Sequence, residues 1–500
     1  MTDYEVNLFS EPLLEFAHGQ RLQDPHDGLS LFGPCDFDTA TQPKKIRYGL
    51  IGTDQGVSLF KKWADKMNGP IFSSENNSRI WPPFPGFEAA FHSELAKEPS
   101  WEYGLDKNEL IKDASNNNPY QRSFDVVNRY LEGIEIAAKK RDDKVEVVIC
   151  VVPDEVYKSC KPKSYIINGW GRKPTRKEIN QFQRGQRTLF SERSNKMYDL
   201  SVDFRRQLKA QVMQYNLPVQ IVRESTLKPE IEGEWRRGLT CESDLAWNLS
   251  TALYYKAGGK PWKLSSARDG VCYIGIAFKN TGQGENSKTA TCAAQMFLNS
   301  GEGIVFLGDE GPWYSTVNQQ YHLNKESAKK LLKGILETYK ALDGKDLTEI
   351  FIHSRSEVNR EEIEGYLEAC PVNSKLTIIR VKMERDGIRL FREGKMPILR
   401  GTFLKQNFKT GFLWGSGFKP RLNTYDGWEV PVPLRIDILY GDSSIEQVSK
   451  DIFGLTKLNY NACKIGDVEP VTVKFSDAVG EILISNKAIG KTDPRFKFYI

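Results

Sequence analysis

Apolar residues along the chain fall into two periodicities. Short runs with little polar interruption, at 46–52, 144–152, 219–222, 271–278, 303–307, 349–353 and 376–381, predict buried strands. A strand covered on both faces reads as a near-continuous apolar segment. Between several of these runs the spacing changes to three and four residues. The clearest case is 324–342, where Ala328, Leu331, Leu332, Ile335, Leu336 and Tyr339 form one stripe with lysines opposite. That pattern predicts an amphipathic helix. Alternating strands and helices predict an α/β protein whose sheets are covered by helices. The sequence shows no solenoid-length repeat and no low-complexity tract.

Two breaks punctuate the pattern. The stretch 76–85, in which Trp81-Pro-Pro-Phe-Pro85 leads to Gly86, is rich in turn formers. The second break follows a helical stretch at 244–257 that runs into Gly258-Gly259-Lys260-Pro261-Trp262. Two glycines and a proline stop a helix, and a new strand is expected from Val271.

Composition narrows the classes. The 500 residues are 39% apolar and 11% aromatic, enough for two to four domains with real cores. No apolar run approaches the ~18 residues of a membrane span. The opening MTDYEVNLFSEPLLEF places acids where a secretory signal needs cations, so a soluble cytoplasmic protein is expected. Cysteines 35, 150, 160, 241, 272, 292, 370 and 463 include no CxxC pair, and the five histidines are dispersed. Reduced thiols, rather than a zinc site or disulfide framework, are expected.

Charge matters through its placement. A total of 70 Lys+Arg against 65 Asp+Glu leaves +5, too little to identify a partner. Between Lys158 and Lys196, however, eleven cations face two acids, with Tyr165, Trp170, Phe182 and Phe190 interleaved. Cations mixed with aromatics suit a phosphate backbone and exposed bases, and equally a solvated surface insertion.

Three stretches carry a resemblance. The run Asn248-Leu-Ser-Thr-Ala-Leu-Tyr-Tyr-Lys256-Ala-Gly-Gly-Lys-Pro-Trp262 resembles the signature joining the MID and PIWI domains of Argonaute proteins. Tyr273-Ile-Gly-Ile-Ala277-Phe-Lys is similar to the first PIWI strand. Leu455-Thr-Lys-Leu-Asn-Tyr-Asn461, followed by Glu469-Pro-Val-Thr-Val-Lys-Phe-Ser-Asp477, resembles the PIWI C-terminal section, where a helix and a "P-V-T" strand deliver the last catalytic residue. The match is good over about 200–500 and less specific before, although Leu14-Glu-Phe and Pro85-Gly-Phe-Glu-Ala-Ala-Phe91 also fit short prokaryotic Argonautes. The resemblance implies an N-terminal segment at 1–40 packing on PIWI. It also implies a Rossmann-like MID domain at 41–262 with a basic insertion at 158–196, and an RNase H-like PIWI domain at 263–500.

The same resemblance implies a pocket for the 5′-phosphate of a guide strand at Arg205, Lys209, Gln220 and Lys256. The chemistry is coherent in its own right, because Arg205 and Lys209 are i,i+4 and face one way on a helix. Arginine stands where many relatives have tyrosine, and Arg206 is an alternative to Arg205. Without the downstream motifs, the Arg-Arg-Gln-Leu-Lys segment reads as a basic helix face in water. The ending Arg495-Phe-Lys-Phe-Tyr-Ile500 is an aromatic plug or, by resemblance, a tail whose Ile500 carboxylate helps hold Mg²⁺ with the guide phosphate.

Two-metal cleavage requires clustered carboxylates. Active relatives read Gly-Ile-Asp where this chain reads Gly275-Ile276-Ala277, and the second acid's place holds Ser354, leaving only Asp477. The expectation is a non-enzyme that grips a guide RNA and a complementary single-stranded DNA target without cutting. It would form a heterodimer with an APAZ-containing effector of sirtuin or TIR type that depletes NAD in abortive defence against plasmids and phage. The alternatives are a nuclease drawing acids from Glu302, Asp309 or Glu310, a stand-alone guide-binding repressor, and a metabolic α/β enzyme with coincidental motifs.

Overall fold

The computed structural model describes the chain apart from residues 1–4, 76, 140–144, 165–199, 229, 232–233, 236–240, 281–289, 299–302, 316–318, 343–345, 426, 428 and 487–492. Most of the basic stretch 158–196 therefore lies outside the described residues. The α/β class expected from the sequence is the one observed.

Four strands, in the order Trp101–Gly104, Tyr48–Gly52, Val147–Val152, Val219–Arg223, form an all-parallel sheet. Successive residues of its central strands face opposite cores, which explains their unbroken apolar runs. Tyr48, Leu50, Val147, Ile149 and Val151 pack with Phe60 and Trp63 of the helix Asp54–Met67. Ile51, Val148, Cys150 and Val152 pack on the other side with Val126 and Tyr130 of Pro119–Lys139, and with Leu208 of Phe204–Val212.

The larger sheet has nine strands, in the order Glu5–Leu8, Thr402–Lys405, Thr410–Leu413, Leu434–Tyr440, Lys375–Met383, Glu349–Ser354, Val271–Asn280, Ala290–Leu298, Gly303–Gly311. Its three central strands, Lys375–Met383, Glu349–Ser354 and Val271–Asn280, are parallel. The pairings on either side of them are antiparallel. Cys272, Ile274, Ile350, Ile352 and Ile378 pack beneath Leu331, Leu332 and Ile335 of Lys325–Leu342, the helix the periodicity predicts. Tyr273, Phe351 and Ile379 face the opposite core with Val479, Ile482 and Leu483 of Ser476–Asn486.

Several expectations change on folding. The turn-rich stretch after residue 76 is tied to the elements on either side of it. Ile71 and Phe84 form an antiparallel bridge across it, and Trp247 Nε1 donates to Pro83 O at 3.2 Å. The second break ends a helix as expected, with Glu242–Lys256 stopping before Gly258 at φ +104°. A side chain at Gly259 would collide with the Tyr254 ring, its Cβ lying 2.3 Å from a ring carbon. The Pro-Val-Thr-Val segment expected as a strand is instead a helical turn, Val471–Lys474. Pro470 O accepts from Val473 N at 3.0 Å and Lys474 N at 2.9 Å, so local hydrogen bonds and close packing override the β-branched run. Among the described residues, no helix is long and apolar enough to cross a membrane.

Candidate nucleic-acid interface

The helix Phe204–Val212 starts where the Asp203 side chain accepts from Arg206 N at 3.2 Å. One turn separates Arg205 from Lys209. Lys209 Nζ donates to the main-chain oxygen of Tyr499 at 3.3 Å, and Lys256 Nζ donates to the oxygen of Ile500. Lys256 closes the helix Glu242–Lys256 and is 1% exposed. Lys497 reaches the same place from the Phe496–Phe498 turn.

Lys256 is buried, Lys209 and Lys497 are half-buried, and Arg205 is exposed beside them. Burial first, and then Arg205 and Lys497, lower the Lys256 pKa to about 7. Lys209 is driven well below the usual lysine value by burial, then by Lys256 and Arg205, with Asp203 opposing. Lys497 is lowered by burial and by Arg495. Among the described residues no carboxylate side chain forms an ion pair with Arg205, Lys209 or Lys256. One terminal carboxylate oxygen, that of Ile500 on Lys256, faces several cations, and packing like charges in such excess is costly unless a further anion arrives or a group neutralises. The arrangement is therefore suited to receiving a phosphate or carboxylate.

Beside the lysines lies a cavity of about 290 Å³. Arg205 and Gln220 line it, together with Trp63, Tyr157, Arg223 and Asn461. Among the described residues Gln220 Nε2 reaches only Ile221 O, at 3.5 Å, which leaves its amide available to a ligand. The Arg223 guanidinium sits 4.8 Å from the centroid of the Tyr157 ring. The structure thus places Arg205 and Gln220 on the cavity wall and Lys209 and Lys256 against the tail, with the Arg205 charge acting on both lysines. Arg206 is instead ion-paired with Glu481. Lys497, Arg223 and Tyr157 were missed by sequence reasoning, although Lys497 alternates with aromatics in the quoted tail and Arg223 directly follows the strand predicted at 219–222.

A magnesium ion does not fit these side chains. The Ile500 oxygen is taken by the Lys256 ammonium and its neighbours are cations. No group of three or more His, Cys, Asp or Glu among the described residues is placed to hold a metal.

Ala277 and Ser354, where the sequence resemblance expects nuclease acids, lie on neighbouring strands. Ala277 is buried opposite Ala293, and Gly275 pairs with His353 just before Ser354. The Ser354 hydroxyl accepts from Ser356 N at 3.2 Å. The side chain of Asp477 lies outside the described residues. Flanking carboxylates are engaged by cations: Glu481 by Arg206 and by Lys279 at 3.0 Å, Glu469 by Arg355 at 3.3 Å. Of the substitute donors, Asp309 pairs with Lys330 at 2.7 Å on Gly303–Gly311, a strand separated from Val271–Asn280 by Ala290–Leu298. Glu310 lies on that same strand, and Glu302 lies outside the described residues.

The turn Val471–Lys474 crosses this centre at Gly275, where an added Cβ would lie 2.0 Å from Thr472 O. His353 Nδ1 is 2.9 Å from Thr472 Oγ1, and burial lowers its pKa to about 3, so the ring is neutral. Gly275→Ala should therefore destabilise the fold by ~1–3 kcal/mol, because the obstacle is backbone. Urea unfolding checks this, and an unchanged midpoint would contradict the close approach.

No protein-family model matches the chain. A curated relative, the protein argonaute of Aquifex aeolicus (strain VF5), is 19% identical over 278 residues, 55% of this chain and 35% of that protein. A Clostridium butyricum Argonaute, solved with a guide DNA and a 19-mer target DNA, superposes with TM-score 0.64 at 15% identity. That match covers 100% of this chain and 55% of the other. The A. aeolicus Argonaute structure gives TM-score 0.55 at 14% identity, covering 95% of this chain and 53% of that one. The chain thus spans about a third of the curated relative and about half of the solved ones. It is similar to an Argonaute in sequence over somewhat more than half its length, and it shares the Argonaute fold over nearly all of it.

Proposed function

We propose that this chain is a guide-binding protein that anchors the 5′-phosphate of a small RNA and pairs it with a complementary single-stranded DNA without cutting that strand. The observation that carries the reading is the convergence of Lys209, Lys256 and Lys497, with Arg205 on the exposed side, around the terminal carboxylate oxygen of Ile500, while no carboxylate side chain pairs with Arg205, Lys209 or Lys256 among the described residues. A terminal phosphate supplies a further anion, and the neighbouring cavity leaves Arg205 and Gln220 free to meet the first nucleotide.

Ala277 and Ser354 support the absence of cleavage, since a methyl group and a hydroxyl offer no carboxylate to a metal ion. A complex that pairs strands but leaves them intact produces its effect through another protein. In this reading that partner is encoded beside the chain and carries an APAZ region with a sirtuin- or TIR-type domain, which consumes NAD in the cytoplasm once the target is paired.

Purification from the native host followed by sequencing of the bound nucleic acid tests the reading. Short 5′-phosphorylated RNAs of varied sequence are expected. Recovery of no nucleic acid, or of strands without a 5′-phosphate, would overturn it. An NAD-consumption assay on the co-purified complex, with and without target, tests the partner's chemistry separately.

A further inference from the structure

The strand Glu5–Leu8 is the outermost of the nine-stranded sheet, and among the described residues it pairs only with Thr402–Lys405. Its hydrogen-bonding pattern can be read from the residue that follows. Phe9 N donates to Gly401 O at 2.9 Å, which makes Leu8 and Thr402 a non-hydrogen-bonded pair. The alternation of an antiparallel ladder makes Val6 and Leu404 another. The N–H and C=O groups of Val6 and Leu8 consequently point away from the sheet along its free edge.

The side chains at the same two positions are exposed. Val6 is 52% exposed and Leu8 57%, while Phe9 turns into the core and stacks on Phe403 at 4.9 Å. Within Glu5–Leu8 there is no proline, no bulge in the register with Thr402–Lys405, and no charge between the strand's ends, Glu5 standing at its outer end on the face of Phe9. These are the devices by which proteins protect an edge from other strands. An unprotected edge with two free amides beneath two exposed apolar side chains is a template for strand addition.

We propose that Val6 and Leu8 receive an extended segment of a separate protein, apolar at alternate positions, which adds a tenth strand to the sheet. The inference rests on the reading that the chain acts through a second protein. A second copy of this chain is the poorer occupant. Two four-residue edges paired with each other bury far less than the ~1,200 Å² of a stable interface. A different protein can combine the added strand with contacts elsewhere. The same fold occurs in the Clostridium butyricum Argonaute as 55% of a longer chain, so a little under half of that chain has no counterpart in these 500 residues. A separate protein bringing further segments to this fold is consistent with that difference.

The test uses the full chain co-expressed with the protein encoded beside it. Val6→Pro with Leu8→Pro removes two outward amides and leaves the inner ladder intact, since proline is tolerated where the N–H faces outward. The expected result is partner affinity reduced about tenfold or more, with guide binding unchanged. Val6→Lys with Leu8→Lys alters only side chains and should weaken the complex in the same direction. In the wild-type complex the Val6 and Leu8 amides should exchange hydrogen far more slowly than in the free chain. Equal affinity of both double variants, or unchanged exchange in the complex, would overturn the inference while leaving the partner reading intact. A wild-type dimer abolished by Val6→Pro with Leu8→Pro would assign the edge to a second copy and also overturn it. Absence of any complex alongside normal guide binding would remove the partner reading and this inference together.

Discussion

Replacing Lys209 and Lys256 together by alanine should remove most of the preference for a 5′-phosphorylated guide over the same strand with a 5′-hydroxyl. Among the described residues Lys209 Nζ bonds the main-chain oxygen of Tyr499 and Lys256 Nζ a terminal carboxylate oxygen of Ile500, which leaves each ammonium two further N–H donors. Each is available to form a charge-assisted bond to phosphate, and such bonds are worth about 1.5–3 kcal/mol apiece. Losing two should cost the phosphorylated guide on the order of a hundredfold or more in affinity. The hydroxyl guide should change little, because it has no terminal anion to lose. The slope of log affinity against log salt should flatten by roughly one unit per lost contact. Titration of both guides against both proteins at several salt concentrations measures the effect. If the phosphate preference survives in the double variant, the anchor lies elsewhere.

The second large effect is on pH. In the free protein Lys256 titrates at about 7, well below its ordinary 10.5, because burial, Arg205 and Lys497 all disfavour its charge. A bound phosphate favours that charge and raises the pKa again, so above pH 7 binding takes up a proton. Affinity for the phosphorylated guide should therefore fall from pH 7 to pH 9, by up to about tenfold per pH unit. Below about pH 6 the phosphate itself gains a proton and the advantage shrinks. Without guide, stability moves in the other direction. Between about 7 and 10.5 the unfolded chain holds a proton on Lys256 that the folded chain lacks, so the free protein gains stability as pH rises through that window. Lys256→Arg, which stays charged, should flatten the affinity profile. Calorimetry in buffers of different ionisation enthalpy counts the proton, and uptake of none at pH 8 would contradict the account.

Much of this was legible in the residues, for identifiable reasons. The central strands declared themselves because burial on both faces leaves no polar interruption, as in Val147–Val152. The strand Ala290–Leu298 did not, because its Ala, Thr and Gln residues have no strong strand signal and its place is fixed by two neighbours. The helical turn Val471–Lys474 contradicted its β-branched composition, since its conformation is imposed by the approach to Gly275. At the pocket, helix spacing correctly put Arg205 and Lys209 on one face. What spacing could not reveal is that the tail brings Lys497, and the oxygens of Tyr499 and Ile500, across nearly the whole length of the chain to meet them. The distinction between Arg205 and Arg206 was likewise invisible until Glu481 claimed one of them.

The most direct test of the central claim, a strand held but not cut, is one incubation. The chain loaded with a 5′-phosphorylated guide is mixed with an end-labelled complementary DNA and Mg²⁺ or Mn²⁺, then resolved in parallel on native and denaturing gels. The account expects the target to shift into the complex on the native gel and to remain full length on the denaturing gel. A product cut at a position set by the guide would contradict it.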